Sequence, residues 1–89
     1  MLDKDSIYIR CELDKAKKKI KIGGIYRHYK NAENQYIVRS VAISENDMKL
    51  VVVYEALYGD GFVWVRTVEN WLEKVKIGDK FVYRFDEVR

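Results

Sequence analysis

The chain holds a single cysteine, Cys11, and a single histidine, His28, and proline is absent. One thiol excludes an internal disulfide framework, and one His with one Cys cannot assemble a tetrahedral zinc cluster, so neither a structural metal nor a cofactor is expected. Long apolar runs are missing too. The longest, Leu50-Val51-Val52-Val53-Tyr54, falls far short of the about 20 residues of a membrane span, so no membrane partner is expected. The sequence opens Met1-Leu2-Asp3-Lys4-Asp5, with acids where a secretory leader has a basic and then an apolar region; this and the lack of lipidation signals predict a cytoplasmic protein. Gly23-Gly24 and Gly59-Asp60-Gly61 lack the continuation that a phosphate-binding loop or a serine nucleophile elbow requires. There is no internal repeat, low-complexity stretch or linker.

What remains is one small domain, residues 1–89, able to bury only roughly 60–65% of its unfolded surface. Its 48% hydrophobic content is too apolar for a disordered chain. Ile7, Ile9, Cys11 and Leu13 alternate with more polar residues, which favours a strand, with a helix capped by Ser6 as the alternative. The charge run from Asp14 to Lys21 reads as a turn or short helix. Residues 1–22 are therefore an N-terminal strand or helix plus a basic segment, and 23–89 the β-rich core. In that core Ile25–Lys30, Tyr36–Ile43, Lys49–Tyr58, Phe62–Arg66 and Phe81–Phe85 carry the branched and aromatic residues of five short strands. Turns are expected at Asn31–Asn34, Ser44–Asp47 and Gly59–Gly61. Val68, Trp71, Leu72 and Val75 recur at helical spacing, which predicts a short helix over 68–75 capped by Thr67. Edge strands in so small a chain favour curling, so the expected fold is mainly β: an SH3-like barrel or a strongly bent antiparallel sheet.

From Gly24 to Phe85 the sequence resembles DUF1653, a small, mostly bacterial family of domains of unknown function. The resemblance rests on Gly24-Ile25-Tyr26-Arg27-His28-Tyr29-Lys30, then Tyr36 and Val38, Ser44-Glu45, Val52-Val53-Tyr54 with Leu57-Tyr58-Gly59, Trp64-Val65-Arg66, and Arg84-Phe85. The family pattern continues Trp-Val-Arg with Pro and, four residues on, Phe; here Thr67 and Trp71 stand in those places. Thr caps a helix as readily as Pro begins one, and Trp keeps a large aromatic on the buried face. Asn31 stands where the family often has Gly. The resemblance implies a fold and a set of positions, not an activity.

Two groups of residues invite a functional reading. Tyr26, His28 and Lys30 would share one face of a strand, and His28 has the only side chain whose ordinary pKa lies near neutrality. Tyr54, Tyr58, Phe62, Trp64 and Arg66 would line one surface of a hairpin with Arg66 stacked on an aromatic plane. For Phe62 and Trp64 burial in the core is the stronger expectation, whereas Arg66 is harder to place there. No two carboxylates have the spacing of an acid–base pair, and Cys11 reads as a small apolar filler. No catalytic residue is assigned.

Residues 15–30 carry seven cations and no acid, while the formal net charge is only +3, so the remainder sums to −4. A basic stretch beside exposed aromatics is the footprint of a surface that tracks a nucleic-acid backbone and stacks its bases; the same lysines would also serve solubility and edge protection. The sequence thus reads as a binding module for nucleic acid or another anionic ligand, through Tyr26, His28, Lys30, Tyr54, Tyr58, Trp64 and Arg66. The alternatives are a peptide or protein interaction module, a homodimer, or a small enzyme using His28.

Overall fold

The computed structural model describes residues 3–89; Met1 and Leu2, which begin the acidic opening, lie outside the described residues. Helix α1 (Asp3–Lys19) leads into strands β1 (Ile25–His28), β2 (Asn31–Ile43), β3 (Leu50–Ala56) and β4 (Val63–Thr67). A one-turn helix α2 (Val68–Trp71) and strands β5 (Lys74–Ile77), β6 (Lys80–Tyr83) and β7 (Phe85–Glu87) complete the chain. Five strands form one antiparallel sheet in the order β4-β3-β2-β1-β7, and β5 and β6 form a separate hairpin. Mainly β and antiparallel are thus both correct. Irregularities at Arg27/His28 and at Val38/Ser40 bend the sheet, but it stays open, with β4 and β7 as its edges. The closed SH3-like barrel is not formed.

The N-terminal segment is a helix rather than a strand, because the residues that reach the core are spaced for one. Leu13, Ala16 and Ile20 follow i, i+3 and i+7; Ala16 and Ile20 are buried and Leu13 packs against the core, while Ile7 and Cys11 of the alternating set are exposed. Lys17, Lys18 and Lys19 occupy the last turn, where the helix dipole favours positive charge. Thr67 caps α2, its hydroxyl accepting from the Asn70 N–H at 3.1 Å. The helix stops at Trp71 instead of running to residue 75, because Val75 belongs to a two-stranded hairpin that turns at Gly78 with φ +61°. Arg84 separates β6, paired with β5, from β7, paired with β1, and so splits the single strand expected over Phe81–Phe85.

All the buried side chains of the core lie on one face of the sheet: Tyr26 from β1, Val38 and Val41 from β2, Val52 and Tyr54 from β3, and Phe85 from β7. Ala16 from α1, Ile20 just after its last turn and Trp71 from α2 close over that face. Trp71 and Phe85 stack with ring centroids 3.7 Å apart and planes 3° from parallel, worth about 0.5–1.5 kcal/mol beyond their buried area. Gly24 sits in a tight place: a Cβ there would lie 3.0 Å from the Lys21 carbonyl oxygen and 3.2 Å from the Tyr26 ring, so both neighbours would have to give way.

Candidate functional site

Strand alternation decides which side chains meet. On β3, Val52, Tyr54 and Ala56 point inward, and the register sets Val52 opposite Arg66 and Tyr54 opposite Trp64, so Arg66 and Trp64 share the inner face. His28 pairs with Phe85 across β1 and β7, and their rings meet edge to face at 5.1 Å. Phe85 is the hub. Tyr36 and Tyr54 pack their rings against it at 5.9 and 5.8 Å, and the Arg66 guanidinium lies 5.1 Å from its centroid.

Arg66 is held by neutral groups. Its Nε donates to the Tyr54 hydroxyl at 3.0 Å and its Nη1 to Asn70 Oδ1 at 2.6 Å, and among the described residues no carboxylate pairs with it. A guanidinium has five N–H donors, so three remain available. Arg84, by contrast, is ion-paired with Glu73. The hydroxyls of Tyr36 and Tyr58 hydrogen-bond each other at 2.8 Å on the exposed side of the cluster.

His28 Nδ1 accepts the Lys30 N–H at 3.2 Å, which requires that nitrogen to be unprotonated and leaves Nε2–H free to donate. Burial, then the positive charges of Arg66, Arg84 and Lys30, lower its pKa from the ordinary histidine value, so at neutral pH the ring is uncharged. Burial and the hydrogen bond with Tyr58 push the Tyr36 phenol up to about 12. Tyr26 is also raised, by burial against the lowering effect of its backbone hydrogen bond from Lys21.

The structure therefore brings together four of the seven residues singled out in the sequence, His28, Tyr54, Tyr58 and Arg66, and separates three. Tyr26 is a core residue whose hydroxyl accepts the Lys21 N–H at 2.9 Å and whose ring meets Trp71 edge-on. Lys30 lies in the Tyr29-Lys30 turn, so it does not share a strand face with Tyr26 and His28; the turn falls there because residues 31–34 are already in β2. Tyr58 likewise leaves the strand, since β3 ends at Ala56, and it reaches the cluster from the loop. Trp64 and Phe62 are not core. They stand 51% and 59% exposed, with rings 6.0 Å apart, because β4 is an edge strand and no element covers them. The stacking expected for Arg66 does occur, on Phe85 rather than on a ring of its own hairpin.

Tyr36, Asn70 and Phe85 were not among those seven. Tyr36 and Phe85 were visible only as aromatic positions of the family resemblance. Asn70 carried one local signal, its place three residues after the capping Thr67 and four after Arg66.

A groove of about 680 Å³ adjoins the cluster through Phe85, with Tyr26 and Trp71 also in its wall and Lys19, Lys74, Asp86 and Glu87 along its margins. A second, of about 620 Å³, lies between His28, Tyr29, Ala32, Ile77 and Tyr83. Among the described residues there is no group of three His, Cys, Asp or Glu side chains placed to hold a metal ion. No helix among them is long and apolar enough to cross a membrane.

Comparison with known proteins places these residues in a wider set. The family described as "Protein of unknown function (DUF1653)" matches residues 24–87. A crystal structure of a DUF1653 protein from Bordetella bronchiseptica is 32% identical, with a TM-score of 0.62, over 71% of this chain and 81% of that one. No curated protein matches the chain.

Proposed function

The chain belongs to the DUF1653 family, and from that premise we propose that it is a binding module for an anionic ligand with planar groups, single-stranded nucleic acid fitting best. One observation carries the reading: Arg66 is held over Phe85 by Tyr54 and Asn70, with no carboxylate among the described residues to neutralise it, and keeps three N–H donors. An arginine so fixed supplies a pre-oriented donor set for phosphate at little entropic cost. Beside it, His28 Nε2–H and the Tyr36–Tyr58 hydroxyl pair add neutral donors and the exposed Tyr58 ring a stacking face, and Trp64, outside the cluster but on the same inner face, adds another.

The charge distribution supports the same reading. The groove that meets the cluster at Phe85 is bordered by Asp86 and Glu87 as well as by Lys19 and Lys74, so a polyanion leaving the aromatic cluster would follow the lysine margin toward Lys19 and the exposed Lys17 and Lys18 at the basic end of α1. Acid–base chemistry is less well supported. It would need His28 hydrogen-bonded to a tyrosine hydroxyl or a carboxylate, and its hydrogen bond is to the Lys30 amide instead.

The test is fluorescence anisotropy of a labelled single-stranded RNA at several salt concentrations. Phosphate contacts predict that log K falls linearly with log salt, at roughly −0.7 per phosphate neutralised on a single strand. Affinity independent of salt, or none at low salt, overturns the reading.

A further inference from the structure

The β5–β6 hairpin stands apart from the main sheet, and its two faces differ. Its register pairs Lys74 with Tyr83, Val75 with Val82 and Lys76 with Phe81. Alternation therefore puts Lys74, Lys76, Phe81 and Tyr83 on one face and Val75 and Val82 on the other. The two valines are half-buried, while the lysine face is open, Phe81 by 66% and Tyr83 by 53%. Each lysine stands across from a ring, and Lys74 Nζ lies 5.0 Å from the Tyr83 centroid. Lysines alone would serve as guards against edge pairing. Two large rings left open among them are not needed for that, and such a patch marks a place of contact.

The face is positive and its charge is not compensated. Among the described residues no carboxylate pairs with Lys74 or Lys76, whereas the acids nearby are engaged: Glu73 with Arg84, Asp86 with Arg27 at 3.2 Å and Glu87 with Lys21 at 3.9 Å. Asp79, the acid of the hairpin itself, lies in its turn, at the end away from Lys74 and Tyr83. The face also adjoins what the cluster holds. Lys74 and Tyr83 line the groove that meets the cluster at Phe85, and Tyr83 lines the second groove beside His28 as well. The Arg84 N–H donates to the Glu73 carbonyl at 2.9 Å, and the side chains of the same two residues form an ion pair, so the base of the hairpin is closed next to that groove.

Resting on the reading that the Arg66 cluster takes single-stranded nucleic acid, we propose that this hairpin face is a second contact for the same strand. Phe81 and Tyr83 stack bases, and Lys74 and Lys76 meet the phosphates between them. The two rings are two residues apart on one strand, about 7 Å, twice the about 3.4 Å rise per nucleotide of a duplex strand. They therefore fit bases drawn apart in an unpaired strand and not a stacked duplex. Lys74 covers one face of Tyr83, which makes Phe81 the more open platform. Two lysines and two rings bind weakly by themselves. Once the cluster has caught a strand, however, the hairpin engages it intramolecularly, so it adds affinity only for strands long enough to reach it.

The test is fluorescence anisotropy with two labelled oligouridine RNAs, about 4 and about 12 nucleotides long, on the unmodified chain, Phe81→Thr, Lys76→Gln and Arg66→Met. On the longer RNA, Phe81→Thr is expected to lose about fivefold or more in affinity, and Lys76→Gln to reduce the slope of log K against log salt by about 0.7. Both hairpin variants should bind the shorter RNA as the unmodified chain does, which also shows that they are folded, whereas Arg66→Met should lose both RNAs. Hairpin variants that bind the longer RNA as tightly and with the same salt slope as the unmodified chain overturn the proposal and leave the cluster reading standing, as does an equal loss on both RNAs. An unmodified chain that binds neither RNA overturns that reading and the proposal with it. A Phe81→Thr variant that sediments at half the mass of the unmodified chain would assign the face to a second copy, and overturns the proposal as well.

Discussion

Arg66→Met is the substitution that separates holding the fold from holding a ligand. Methionine keeps an aliphatic stem against Phe85 but removes the charge, the bonds to Tyr54 and Asn70, and the contact with the Phe85 ring face. Hydrogen bonds from a charged donor are worth about 1.5–3 kcal/mol, and half exposure brings these two nearer about 1 each. The cation–π contact adds about 0.5 kcal/mol at a partly exposed site, and the methionine stem recovers part of the loss. The expected destabilisation is about 2 kcal/mol. At roughly 4–8 °C per kcal/mol for a domain of this size, Tm falls by about 8–16 °C. That leaves a folded protein, since total stability for 89 residues is of order 4–13 kcal/mol, and Val38, Val52 and the Trp71–Phe85 stack do not depend on Arg66. Thermal circular dichroism gives Tm, and anisotropy of labelled RNA, measured where both chains are folded, gives binding. The account requires a modest fall in Tm with loss of binding. An unchanged Tm would mean that the Tyr54 and Asn70 bonds contribute nothing, and a folded variant that binds RNA normally would remove Arg66 from the site.

Four further outcomes are expected. Trp71→Ala should cost about 3–5 kcal/mol, because it opens a cavity beneath the Phe85 ring, and chemical denaturation would then show a partly unfolded population in buffer. Gly24→Ala should cost about 1–3 kcal/mol by pressing a methyl against the Lys21 carbonyl and Tyr26, measurable in the same way. The lowered pKa of His28 means that its contribution to stability is full above pH 6.5 and is lost as pH falls through the depressed value, so Tm should decline on acidification and His28→Gln should flatten that part of the profile. Tyr36 has the opposite sign: raised to about 12 from 10.0, it stabilises fully below pH 10 and loses that contribution between pH 10 and about 12. Ultraviolet titration should accordingly show Tyr36 and Tyr26 ionising later than the other phenols, and Tyr36→Phe should remove the step at about 12.

The sequence made much of the core sheet legible because its strands alternate cleanly: Val52, Tyr54 and Ala56 face in, and the two-residue period survives folding. It misled where two periods overlap. Ile7, Ile9, Cys11 and Leu13 look like a strand, while Leu13, Ala16 and Ile20, spaced for a helix, are the set that tertiary packing selects. Val68, Trp71, Leu72 and Val75 suggested two turns of helix, but Lys74–Ile77 pairs with Lys80–Tyr83, a non-local preference that no local window contains. Phe62 and Trp64 looked like core because they are large and apolar; what exposes them is strand order, since β4 ends the sheet. For the site, the chemistry of Arg66 and His28 could be read from their residue types. Their convergence could not, because it depends on Phe85, brought beside β1 from the other end of the chain.

The central claim is that the inner-face cluster and the basic end of α1 bind a polyanion, and its most direct test is an amide NMR titration with a short single-stranded RNA at low and at physiological salt. The account predicts shifts confined to residues near His28, Tyr58, Trp64 and Arg66 and to the last turn of α1, shrinking as salt rises. Shifts that ignore salt, that map to the opposite face of the sheet, or that fail to appear at low salt would contradict it.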